Sequence, residues 1–294
     1  MSQITLTSRL PVEGDESSAV RSAAVTVIEP RSTWRAIDLS EMWRYRDLFR
    51  FLVWRDIRVL YAQSALGIGW AIAQPVATMI VLSVVFGYFG RVGSDGYPYP
   101  VFSLSALIPW TFFAAAVVGG VGSLVNDANM LRKIYFPRLL LPLSAVTSKL
   151  MNFGIALLVM MPLMIYYDFQ PTWRFAALPF LIFMMVIAAS GIAVWLTALA
   201  VQFRDIRHGV AFLIQILMYA SPVIYSSSMI PERFQPIYAL NPMVGVIDGF
   251  RWALLATPNF PLPSLLIGSI VSALLFVSGL FYFRKRERVF ADVS

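Results

Sequence analysis

Lys149 is the one charged residue that falls inside the long apolar runs of this sequence. A lysine at that depth either snorkels along its own stem to the interface or lines a path for a polar solute. No carboxylate falls in those runs, so the acidic relay that proton- or sodium-coupled carriers keep there is missing. The chain has no cysteine and a single histidine, His208. Disulfides, thiolate zinc sites and cysteine nucleophiles are excluded, and an imidazole metal centre lacks its second ligand. No G-x-x-x-x-G-K-[ST] phosphate loop occurs, so the chain does not itself hold ATP in that way. Carboxylates and nucleophiles are scattered, and a membrane enzyme that modifies lipid-linked sugar would need them at one depth. No catalytic residue, metal ligand or cofactor is therefore assigned.

What is concentrated is aromatic surface, with 22 Phe, 12 Tyr and 8 Trp in the chain. Tyr88, Phe89, Tyr97, Tyr99, Phe102, Trp110, Phe112 and Phe113 cluster at one end of the first two apolar runs. Aromatic faces stack on the C–H surfaces of sugars and leave no charged site to arrest a sliding polymer. The competing role is a lipid belt with ordinary packing.

The elements that position these residues follow from hydropathy. Of 294 residues, 59% are hydrophobic and 13% charged, against about 25% charged in soluble domains. A span takes about 20 apolar residues. Six fit, at about 68–89, 101–125, 139–167, 175–201, 209–225 and 262–283. The expected fold is an all-α polytopic membrane protein whose transmembrane domain occupies 62–283. Residues 1–30 carry no apolar signal core and read as a disordered tail. Residues 31–61 interleave aromatics with seven arginines. They suit an amphipathic segment at the membrane surface, or a solvated helix with a core face. Residues 226–261 are apolar but cut by prolines, and read as re-entrant half-helices or as an external interfacial loop.

Basic residues set the orientation. Of 23, 18 fall before span one, in 127–138, in 202–208 and in the 284–294 tail; Arg91, Arg174, Arg233 and Arg251 fall on the alternate segments. Both termini are predicted cytoplasmic. A seventh span through 237–256 would invert the tail and is rejected. The net charge of +7 reflects loops facing anionic lipid, and no nucleic-acid partner is expected.

Ordered motifs then carry a resemblance over about residues 40–292. They are Tyr61-x-x-Ser64-x-Leu66-Gly67-x-x-Trp70 with Pro75; Ile108-Pro109-Trp110 with Phe112-Phe113; and Leu131, Lys133, Tyr135-Phe136-Pro137-Arg138 and Leu141-Pro142. Phe203-Arg204-Asp205, Ser221-Pro222-Val223-Ile224-Tyr225, Asn241-Pro242, Arg251 and Glu287-x-x-Phe290-Ala291-Asp292 complete the set. Together they resemble the permease subunit of ABC-2 type exporters, in the branch that moves O-antigen, capsule or teichoic-acid polysaccharide.

The resemblance implies a homodimer of this chain driven by two copies of a separate ATP-binding subunit. Residues 31–61 would be the interface helix, 127–138 a coupling helix seated on the ATPase, and 202–208 a second contact. Asn129, Arg132, Lys133, Tyr135, Phe136, Arg138, Arg204 and Asp205 would carry the coupling. Residues 229–258 would form paired re-entrant helices near the outer mouth. The aromatic cluster and Lys149 would line the substrate path. The expected function is passage of a lipid-linked, O-antigen-like polysaccharide across the inner membrane, in contact with membrane lipids and without catalysis by this chain. The alternatives are an ABC-2 exporter of a lipid or small drug, and a proton-coupled secondary transporter.

Overall fold

The computed structural model describes residues 39–62, 67–131 and 133–293, with side chains between 42 and 286. The expected tail 1–30, the first part of the 31–61 segment, Ser64, Leu66 and Arg132 lie outside the described residues, as do the side chains of the 287–292 motif. The described residues are helical, with no strand.

Two helices precede the first span, α1 (Leu39–Arg44) and α2 (Arg46–Tyr61). α2 buries Leu52 and leaves Phe51, Trp54, Val59 and Leu60 exposed among its arginines. An uncovered apolar face on a charged helix suits a membrane surface. α3 (Gly69–Leu82) takes Pro75 within it and continues as a π-helical stretch, Ser83–Phe89.

α4 (Tyr99–Asn126) is the central helix, packed against α3 and against the helices named below as α6, α7, α8, α9 and α11. Its serines return their hydroxyls to their own helix, as Ser105 does to the Phe102 carbonyl at 2.8 Å, which satisfies a polar group without water. A short α5 (Ala128–Leu131) follows, and the chain then runs irregularly to Arg138. The 127–138 segment is thus one helical turn and an extended strap rather than a helix throughout.

The third apolar run forms α6 (Leu140–Ser148) and α7 (Leu150–Tyr166), joined at Lys149. α8 (Leu178–Gln202) pairs with α4 and with the last helix, α12 (Leu262–Val293). These pairings depend on absent side chains. A Cβ on Gly120 would sit 2.8 Å from that of Ala193, and one on Gly191 would sit 2.8 Å from the Phe276 backbone nitrogen. Small residues that let backbones approach are the usual device for helix pairing in lipid.

Among the described residues, five helical stretches are long and apolar enough to cross a membrane: Gly69–Phe89, Tyr99–Asn126, Leu140–Tyr166, Trp173–Gln202 and Leu262–Arg286. They match five of the six expected spans within a few residues. The fifth expected span differs. Its helix, α9 (Asp205–Tyr219), has 15 residues, a length of about 22 Å against a hydrocarbon core of about 30 Å. It begins before Gly209 and stops before Ser221-Pro222, where the missing proline N–H and ring end the helical ladder.

Between α9 and α12 lie a single turn, α10 (Gln235–Tyr238), and α11 (Pro242–Leu255). The Asn241 side chain caps α11 by accepting from the Met243 N–H at 3.1 Å. Every residue of α11 but Asp248 is buried. With the 3-10 turns Ser227–Met229 and Glu232–Phe234, the proline-cut segment therefore holds three short turns and one buried helix too short to span.

Candidate functional site

Two polar regions stand at opposite ends of α4. One forms around Asp127, directly after its last residue. Arg55 of α2 grips this carboxylate with both terminal nitrogens, at 2.8 and 2.7 Å, and also donates to Asp56 at 2.8 and 3.1 Å. Hydrogen bonding to Asp127 raises the Arg55 pKa above its ordinary value, against an opposing effect of burial. A fork that matches a carboxylate in this way fixes direction as well as distance. It ties α2 to the start of the 127–138 strap.

The strap is anchored a second time by Phe136. Its ring is buried with Leu52, Leu124, Leu141, Val194, Ala198 and Phe283. Tyr135, one residue earlier, is 84% exposed, and Asn129 and Lys133 are also exposed. Adjacent residues thus take opposite tasks: Phe136 holds the strap down and Tyr135 is presented outward. Arg138 is half-buried. Arg204 and Asp205 are exposed just past the end of α8. That is little more than a turn beyond Ala198, so the structure brings 202–205 to the end of the bundle where the strap lies.

Lys149 lies above this region, at the α6–α7 junction. Its stem runs beside Gly119, where an added Cβ would come within 3.2 Å of Cε. Close by in sequence, Asn152 accepts a hydrogen bond from the Tyr61 hydroxyl.

The aromatic candidates divide. Tyr88 and Phe89 are 76% and 74% exposed and meet edge to face. Tyr97 is half-buried against Phe169. Tyr99, Phe102, Trp110, Phe112 and Phe113 are buried inside the chain's own bundle. Tyr99 donates to the Ile224 carbonyl at 2.7 Å, and Phe112 packs on Phe153, which packs on Phe250. Tyr88 and Phe89 are the most open of the group, and Tyr97 keeps part of its surface free.

At the far end of α4, Asp95 accepts hydrogen bonds from the Ser226 and Ser228 hydroxyls, the latter at 2.7 Å. Ser227 donates to Asp248 at 2.5 Å, and Asp248 pairs with Arg251 at 3.5 Å. The Arg251 guanidinium lies 3.7 Å from the centre of the Phe102 ring. Residue types alone did not single out this cluster or the Arg55–Asp127 pair. Three consecutive serines and a buried-helix Asp248-x-x-Arg251 were the available signals. Among the described residues no group of three or more His, Cys, Asp or Glu could hold a metal ion.

These features define a polytopic helical membrane protein with an anchored, outward-presenting strap at one end and a polar cluster at the other. Residues 47–255 match the ABC-2 type transporter family, and the chain belongs to it. It is 30% identical over 255 residues to the O-antigen export system permease protein RfbA of Myxococcus xanthus, covering 86% of this chain and 97% of that one. It is 29% identical to the RfbA protein of Klebsiella pneumoniae over 84% of this chain and 95% of the relative. The polysialic acid transport protein KpsM of Escherichia coli is 24% identical over 79% and 91%.

Proposed function

We propose that the chain is the membrane subunit of an exporter in the inner membrane. It passes a lipid-linked, O-antigen-like polysaccharide outward, and a separate ATP-binding subunit supplies the energy. Near end-to-end similarity to O-antigen export permeases carries this reading. The chain forms the channel as a homodimer with two ATPase subunits, because one small bundle cannot enclose a wide polar path and a symmetric pair can. The strap and 202–205 face the cytoplasm and meet the ATPase through Lys133, Tyr135, Arg204 and Asp205. α9, extended by the turn through Tyr225, serves as a short sixth crossing, which keeps every basic loop and both termini inside. α10 and α11 form an unequal re-entrant pair at the outer mouth. Tyr88 and Phe89 face the polymer.

The test is deletion of the gene in its native host, followed by electrophoresis of surface and intracellular polysaccharide. Polymer should leave the surface and accumulate inside on its lipid carrier, and the wild-type gene should restore it. Unchanged surface polymer would refute the reading.

A further inference from the structure

We infer that the cleft bounded by the 94–97 loop, the 226–232 turn and the first turns of α12 binds one neutral sugar unit of the exported polymer. The inference rests on the export reading and adds a place where the chain touches its cargo.

The cleft holds about 720 Å3, within the range of about 300–1,000 Å3 usual for ligand sites. Asp95, Tyr97, Ser227, Glu232, Asp248 and Arg251 line it. Arg251 is only 4% exposed. Its Nε and Nη1 atoms are buried without a hydrogen-bond partner; Nη1 has only the 3.5 Å ion pair with Asp248, and Nη2 reaches the Val223 carbonyl at 3.4 Å. A buried guanidinium with unmet donors is a site waiting for an acceptor. The carboxylates beside it accept from serines, yet each of their oxygens keeps a second lone pair.

The occupant must therefore accept from a guanidinium and donate to carboxylates within one small space. A hydroxyl does both, and neighbouring hydroxyls on a sugar ring do so at matched spacing. Tyr97 supplies an aromatic wall for the ring's C–H face. Charge excludes the alternatives. Asp95, Glu232 and Asp248 outnumber Arg251, so a phosphate or uronic acid is repelled. A bare cation would meet the Arg251 guanidinium. The cleft lies at the start of α4, whose 28 residues separate it from Asp127 by about 42 Å. A sugar there has already passed the bundle.

The absence of native cysteine supplies the test. Asn259, which is exposed in the cleft wall, is changed to Cys and reacted with an uncharged maleimide in the purified full-length chain in nanodiscs. Methyl glycosides of the common neutral hexoses and deoxyhexoses are the probes. At least one should slow labelling several-fold, while glucuronate, inorganic phosphate and calcium should not. The protection should vanish with Tyr97→Ala and with the surface change Glu232→Gln, both of which should elute as the parent does on size exclusion. In intact cells, labelling should be slower when polymer is being made than when its synthesis is blocked. No protection by any glycoside, protection retained in both variants, equal protection by glucuronate or calcium, or equal labelling with and without polymer would each overturn the proposal. Surface polymer that survives gene deletion would instead refute the export reading and leave glycoside protection intact.

Discussion

Arg55 and Asp127 stand 72 residues apart in the chain, yet the guanidinium holds both carboxylate oxygens at 2.8 and 2.7 Å. The pair joins α2 to the strap that follows the central helix. A force on the strap would reach α2 and α4 together.

Arg55→Lys should weaken that joint even though it keeps the charge, because a lysine cannot make the fork. Arg55→Ala should lower the stability of the solubilised protein by about 1–3 kcal/mol, the usual range for a charged hydrogen-bonded pair. Both should cut polymer export more than ATPase co-purification, measured on the same membranes. An export loss matched by an equal loss of ATPase would show that the joint does not transmit motion.

Tyr135→Ala and Phe136→Ala should separate the two tasks of the strap. The first removes an exposed ring and should reduce co-purification of the ATPase with the melting temperature unchanged. The second leaves a hole among Leu52, Leu124 and Leu141 and should cost about 3–5 kcal/mol. Thermal denaturation in detergent, read beside affinity pull-down, distinguishes them. Equal melting shifts for the two variants would contradict the assignment.

Tyr88→Ala and Phe89→Ala should slow export without shifting the melting temperature, since both rings are exposed. Trp110→Ala should act first on stability, by about 3–5 kcal/mol, because Trp110 is buried against Phe113. Surface polymer quantified per folded permease is the readout. Normal export in the Tyr88→Ala, Phe89→Ala double variant would remove these rings from the path.

Gly120→Val should fail to assemble the α4–α8 contact. Its side chain would enter space already held by Ala193, and overpacking of this kind costs about 1–3 kcal/mol or more. Loss of monodisperse protein is expected for Gly120→Val. Gly154→Ala, where an added Cβ meets nothing within 4 Å, should express normally.

Five of the spans were legible in hydropathy because a long apolar run with no water has one economical solution, a helix. The fifth expected span shows the limit. Residues 220–225 are as apolar as their neighbours, and hydropathy does not register that Pro222 ends the ladder. The aromatic cluster shows another. Residue type places Phe102 and Tyr88 in one group, but Phe102 sits on the central helix, enclosed by its neighbours, and Tyr88 on the peripheral π-helical stretch after α3. For the strap, the motif spanning Tyr135 and Phe136 marked the right stretch without revealing that its two rings face opposite ways. The polar clusters were invisible for a simpler reason. Asp95 meets Ser226 across 131 residues, and no local spacing encodes such a meeting.

α12 runs unbroken from Leu262 to Val293. Ser264, in its first turn, lines the sugar cleft, and its last turns lie beyond Phe283, which packs with Phe136. Ser264 and Phe283 stand 19 residues apart on it, about 28 Å, so a tilt of about 5° at one carries the other about 2.5 Å. The strap's anchor and the cleft's wall are thus two points on one unbroken helix, and a rigid tilt of that helix would move them together.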